Sequence, residues 1–131
     1  MSVAKNVLLE EKKLKLELRL AQLEKNEKCQ DDFLTFVKTV WPDFIAGSHH
    51  KIIAEKLDRV ARGELKRLIS NMAPRHTKSE FASFLFPAWM MGRNSKMKII
   101  QATHTTELAV NFGRKTKNLI ESDEFKEIFP E

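Results

Sequence analysis

Two short apolar runs, each followed by residues at helical spacing, constrain this chain most. Residues 65–73 read LKRLISNMA and centre on Leu68 and Ile69. Residues 78–92, KSEFASFLFPAWMMG, then set Phe81, Phe84, Leu85, Ala88 and Trp89 on one side of a helix, with Pro87 expected to kink or shorten it. Residues 96–104, KMKIIQATH, form the second run. Beyond it TTELAVNFGRKTKNLIESDEF places Leu108, Phe112, Lys115 and Leu119 along one side of a helix capped by Thr105 or Thr106. Buried strands alternating with helices predict a parallel sheet and an α/β architecture.

Helices are expected ahead of this unit. Residues 5–28 lack Gly and Pro and are rich in strong helix formers. Leu9, Leu16 and Leu23 recur at seven, with Leu20 four beyond Leu16, which suggests a seam for docking on a neighbour or for a short coiled coil. Leu14, Leu16, Leu18 and Leu20 also alternate at period two, a strand-like pattern that composition outweighs. Asp31 or Asp32 can cap a helix with Phe33, Phe36, Val37 and Val40 on one face, ended by Pro42. Ser48 is expected to cap the next helix, whose stripe is Ile52, Ile53, Leu57 and Val60 and which Gly63 stops. The polar NEKCQDD divides the chain into an N-terminal helix, 1–28, and a unit spanning 29–131.

At 42% apolar and 31% charged, the 131 residues read as globular, with no apolar run long enough to span a bilayer. The N-terminus mixes acids and bases where a signal peptide needs an apolar core, so a soluble intracellular protein without a membrane partner is expected. One cysteine, Cys29, excludes an internal disulfide and a cysteine-rich zinc site. Residues 51–79 carry eight Lys/Arg against three acids, within a net charge of +5. Such a stretch can meet phosphates, or it is a solvated helix face.

Between the first run and its helix lies NMAPRHTKSE, residues 71–80. Lys78 and Ser79 stand where a phosphate-binding loop, G-x-x-x-x-G-K-[ST], has its lysine and hydroxyl, while Met72 and Thr77 replace the glycines. In such a loop backbone N–H groups and the lysine hold phosphates and the hydroxyl holds Mg²⁺. A left-handed Thr77 would cost about 1–2 kcal/mol, which Arg75 could offset by added charge. Lys-Ser at a helix start also arises by chance, with Ser79 acting in the first turn.

The stretch from about Phe33 to Pro130 resembles the N-terminal part of the large terminase subunit of tailed bacteriophages. The resemblance rests on APRHTKS, where that family often reads P-P-R-H-G-K-S, and on KIIQATHTTELAVNFGRKTKNLI as its next strand and helix. It implies part of a P-loop NTPase domain, with ATP and Mg²⁺ as cofactors, that drives packaging of double-stranded DNA. Ala73, Pro74, Arg75, His76, Thr77, Lys78 and Ser79 would then bind nucleotide. Lys78 and Arg75 would be catalytic, and the Ser79 hydroxyl would face Mg²⁺. The implied partners are double-stranded DNA, a small terminase subunit, a portal protein and further copies in a ring, at an assembly site in the host cytoplasm and not as a stable virion component.

Beyond residue 104 no apolar strand ends in the paired acids of a Walker B motif, since ESDEF at 121–125 ends a helix. The expectation is therefore a truncated ATPase segment, with the nuclease part missing, that turns over no ATP efficiently alone. The competing reading is a non-enzymatic basic module that binds nucleic acid or a partner subunit through residues 51–79; a third is an interaction protein using its leucine-rich N-terminal helix. His49, His50, His76 and His104 lack the companions of a metal site. Within the loop reading, His76 would face phosphate and His49 or His50 a base. Arg114 and Lys115 fit a solvated face or a contact with DNA or a neighbour.

Overall fold

The structure, a computed structural model, describes residues 2–130. Seven α-helices follow one another among them: α1 (Ser2–Asp31), α2 (Phe33–Val40), α3 (Ser48–Ala61), α4 (Lys78–Glu80), α5 (Phe86–Arg93), α6 (Thr106–Glu121) and α7 (Asp123–Ile128). A π turn, Phe81–Leu85, joins α4 to α5 without a break. In it the Phe86 N–H bonds the Phe81 carbonyl, five residues back, just ahead of Pro87. Proline has no N–H and its ring crowds the carbonyl four residues before it, so a widened turn lets the helix pass.

α2 is the centre of the fold. Its N-cap Asp32 accepts from the Thr35 N–H at 2.8 Å, and Phe33, Phe36 and Val37 are fully buried. It packs against α1, α3, α5 and α7. The Phe33 ring meets Phe81 edge-on at 5.5 Å and Trp89 at 5.3 Å. Trp89 is fully buried, and its indole N–H satisfies the Cys29 carbonyl at 2.8 Å, locking α5 to the end of α1.

α7 closes the other side of α2. Ser122 caps it by accepting from the Phe125 N–H, and Phe125 and Ile128 are buried. The last carbonyls of a helix have no partner within it. Here Asn26 and Gln30 of α1 donate to the Glu127 and Ile128 carbonyls at 2.8 and 2.5 Å. Gly92 sits under Phe129, where an added Cβ would lie 2.6 Å from the ring, so α5 and the end of α7 approach closely only because that position lacks a side chain.

The α/β expectation is overturned: no strand exists among the described residues. Residues 65–73 and 96–104 are irregular. Within them, the backbone N–H groups of Leu65 and Met97 bond to backbone carbonyls, those of Arg59 and Asn94, a few positions back along the chain. A strand exists only by pairing its N–H and C=O groups with another strand, and neither run finds one. Their apolar centres face outward, with Ile69 87% and Ile100 97% exposed. With the sheet go the partial P-loop NTPase fold and the resemblance to the terminase large subunit, since that likeness requires parallel strands carrying the loop.

Candidate nucleic-acid interface

The segment from the end of α3 to the start of α4 carries the charge that the sequence marks. α3 ends at Ala61, and Gly63 turns the chain with φ 76°, a conformation that costs glycine little. Residues 66–70 then return across α3. Lys66, Leu68 and Ser70 share a hollow of about 290 Å³ with Ile53, Leu57 and Val60 of α3 and with Lys78, Ala82 and Phe86. Two lysines from opposite ends of the segment thus stand at one apolar depression.

The eight cations of residues 51–79 fall into two groups. Arg62 donates to Glu64 at 2.8 Å, Arg59 lies 3.6 Å from Glu64 and 4.0 Å from Glu55, and Lys56 lies 3.2 Å from Glu55. The mutual hydrogen bond raises the Arg62 pKa and lowers that of Glu64, so both stay charged. Lys51, Lys66, Arg67, Arg75 and Lys78 are exposed and make no ion pair among the described residues.

Residues 74–77 form a tight turn pinned by histidine. Arg75 and Thr77 both adopt left-handed backbone, with φ 65° and 59°. The Gly47 N–H donates to His50 Nδ1 at 2.9 Å, which leaves the proton on Nε2. His50 Nε2 then donates to Thr77 Oγ1 at 2.5 Å, and that hydroxyl donates to the His76 carbonyl at 2.6 Å. His76 Nδ1 in turn reaches the Pro74 carbonyl at 2.9 Å. His49 lies against His50 at 3.8 Å between ring centres and 5.6 Å from His76, and its Nε2 is buried without a partner among the described residues. Burial first, then the nearby His49 and His76, lower the His50 pKa.

The site residues expected from the sequence are therefore contiguous but differently employed. Ala73, Pro74, Arg75, His76, Lys78 and Ser79 are exposed, and Thr77 is half-buried against His50. The expected roles in binding ATP and Mg²⁺ are overturned, and with them the ATPase, hydrolase and DNA-packaging motor activities. A phosphate loop is held by the strand before it and the sheet around it, and no strand leads into residues 74–77. The residues do not fit the group as a phosphate loop would, so the loop roles expected of Lys78, Arg75 and the Ser79 hydroxyl lose their basis. The acids of ESDEF lie at the junction of α6 and α7, where Ser122 ends one helix and caps the next. The turn's link to His50 escapes sequence reading because 27 positions separate His50 from Thr77.

No three His, Cys, Asp or Glu side chains among the described residues are grouped to hold a metal ion, and no described helix is long and apolar enough to cross a membrane. Comparison with protein-family models, with curated proteins and with solved structures finds no match to this chain.

Proposed function

We propose that this chain is a non-enzymatic, basic helical module that binds nucleic acid through the surface formed by residues 66–78. The observation that carries the reading is the separation of its cations. The acids of the region neutralise Lys56, Arg59 and Arg62, and leave Lys66, Arg67 and Arg75 exposed on an irregular segment and Lys78 exposed at the start of α4. Such charges attract phosphates without reading bases, because association releases the counterions condensed on nucleic acid.

Fluorescence anisotropy with a labelled duplex, titrated at several salt concentrations, tests this. Four phosphate contacts give a log–log salt slope of about −3.6, equivalent to a loss of affinity of about 150-fold between about 50 and 200 mM salt. The Lys66→Ala/Arg67→Ala variant lowers the slope to about −1.8 and that loss to about 12-fold. A flat salt response, or a variant that binds as the wild type does, overturns the reading.

A further inference from the structure

α1 runs well beyond the body it joins. Asn26 and Cys29 are buried and Gln22 and Gln30 half-buried, whereas every residue from Ser2 to Ala21 is exposed. At 1.5 Å per residue this arm projects about 30 Å. Leu9, Leu16, Leu20 and Leu23 lie bare along it, 67%, 71%, 58% and 46% exposed. A lone helix of this length is marginal in water and gains stability from packing on a partner.

The charges beside this stripe identify the partner. With Leu9, Leu16 and Leu23 at d, the a positions are Asn6, Lys13, Leu20 and Glu27. The e positions are Glu10, Glu17 and Glu24, all acidic; the g positions ahead of Asn26 are Lys5, Lys12 and Arg19, all basic. Of these six flanking charges only Glu17 is ion-paired among the described residues, to Lys13 at 3.9 Å. In a parallel pair each g residue faces the e residue of the following heptad on the other helix. Lys5 then meets Glu10, Lys12 meets Glu17 and Arg19 meets Glu24, twice over by symmetry. An antiparallel pair sets e against e and g against g, which is repulsive throughout. The second apolar row, Leu14 and Leu18, continues through Gln22 onto the face that the body covers at Cys29, so it is not open along its length.

We infer that the exposed arm of α1 pairs with the same arm of a second copy of this chain, as a short parallel coiled coil with Leu9, Leu16, Leu20 and Leu23 at its seam. Asn6 and Lys13 at a positions limit its strength and fix its register. The pairing is independent of nucleic-acid binding, since none of its residues belongs to the 66–78 surface.

Sedimentation equilibrium of the full chain from micromolar to millimolar concentration is the test. The mass rises with concentration toward twice that of the monomer, and the Lys12→Glu/Arg19→Glu variant weakens the association by about ten-fold or more. The Glu17→Lys/Glu24→Lys variant is weakened likewise, and mixing the two variants restores a one-to-one pair. Under mild oxidation Asn6→Cys forms a disulfide-linked dimer, which only parallel helices permit. Wild-type chain that stays monomeric throughout overturns the inference. So do a Lys12→Glu/Arg19→Glu variant that dimerises as the wild type does and an Asn6→Cys dimer that does not crosslink.

Discussion

Replacing Asp58 separates the need for a hydrogen-bond acceptor from the cost of a buried charge. Asp58 sits on α3 at 9% exposure, and its Oδ1 accepts from the Phe33 N–H at 3.0 Å. Phe33 is the first residue of α2, so its N–H has no partner inside the helix. Asp58 also joins α3 to the helix at the centre of the core. Burial raises the Asp58 pKa most; the Phe33 N–H, Arg62 and Arg93 act against the rise, and Asp32 adds to it.

Two substitutions then diverge. Asp58→Ala removes the acceptor and strands the Phe33 N–H, costing about 1–3 kcal/mol. That lowers the melting temperature by about 4–15 °C in a domain of this size. Asp58→Asn keeps an oxygen for the same N–H and removes the charge that burial penalises, so at neutral pH it is neutral or stabilising. The pH dependence carries a sign. A carboxyl whose folded pKa is raised contributes stability that is fully present below its unfolded value, about 3.9, and is lost as pH rises through the folded value. The difference in stability between Asp58→Asn and wild type therefore grows in the variant's favour as pH is raised from about 4 toward neutrality. Thermal unfolding followed by circular dichroism across this range measures both effects. An Asn variant as unstable as the Ala variant at neutral pH would refute the reasoning, because the charge and not the acceptor would then be what α2 requires.

Two further expectations concern the histidine-pinned turn. The lowered His50 pKa means that the unfolded chain binds the proton more readily, so this residue's contribution falls away as pH drops below about 6.5. His50→Gln removes that component, and urea unfolding at a series of pH values measures it. At position 77 both Thr77→Gly and Thr77→Val lose the hydroxyl that His50 holds, but valine keeps the left-handed strain. The Gly variant is expected to be more stable by about 1 kcal/mol, measured by chemical denaturation, and equal stability would remove strain from the account of this turn.

Much of the helical core is legible because its residues obey a local period. Phe33, Phe36 and Val37 fall on one face by spacing alone, and so do Phe81, Leu85, Ala88 and Trp89; all seven are buried. Caps are equally local: Asp32 and Thr105 accept from the N–H groups three residues on. At α3 the register shifts by one, because Gly47, not Ser48, is the N-cap and His50 supplies the side-chain acceptor. The runs 65–73 and 96–104 mislead for a physical reason. A short apolar run has no internal period that distinguishes a strand from chain laid over a helix, and what decides is whether another strand is there to take its hydrogen bonds.

The candidate surface was legible in charge and illegible in arrangement. Counting eight cations against three acids in residues 51–79 gives an undivided positive stretch. The helix divides it, because Glu55 lies one turn from Arg59 and the Gly63 turn brings Glu64 back onto Arg59 and Arg62. Beyond that turn Lys66, Arg67, Arg75 and Lys78 make no ion pair among the described residues, so a phosphate can reach them without first breaking one. Arg75 and Lys78 drew attention from the sequence as parts of a loop that needs a sheet behind it. Without the sheet they keep the one property independent of it, exposed charge. The salt slope of duplex binding measures that property directly.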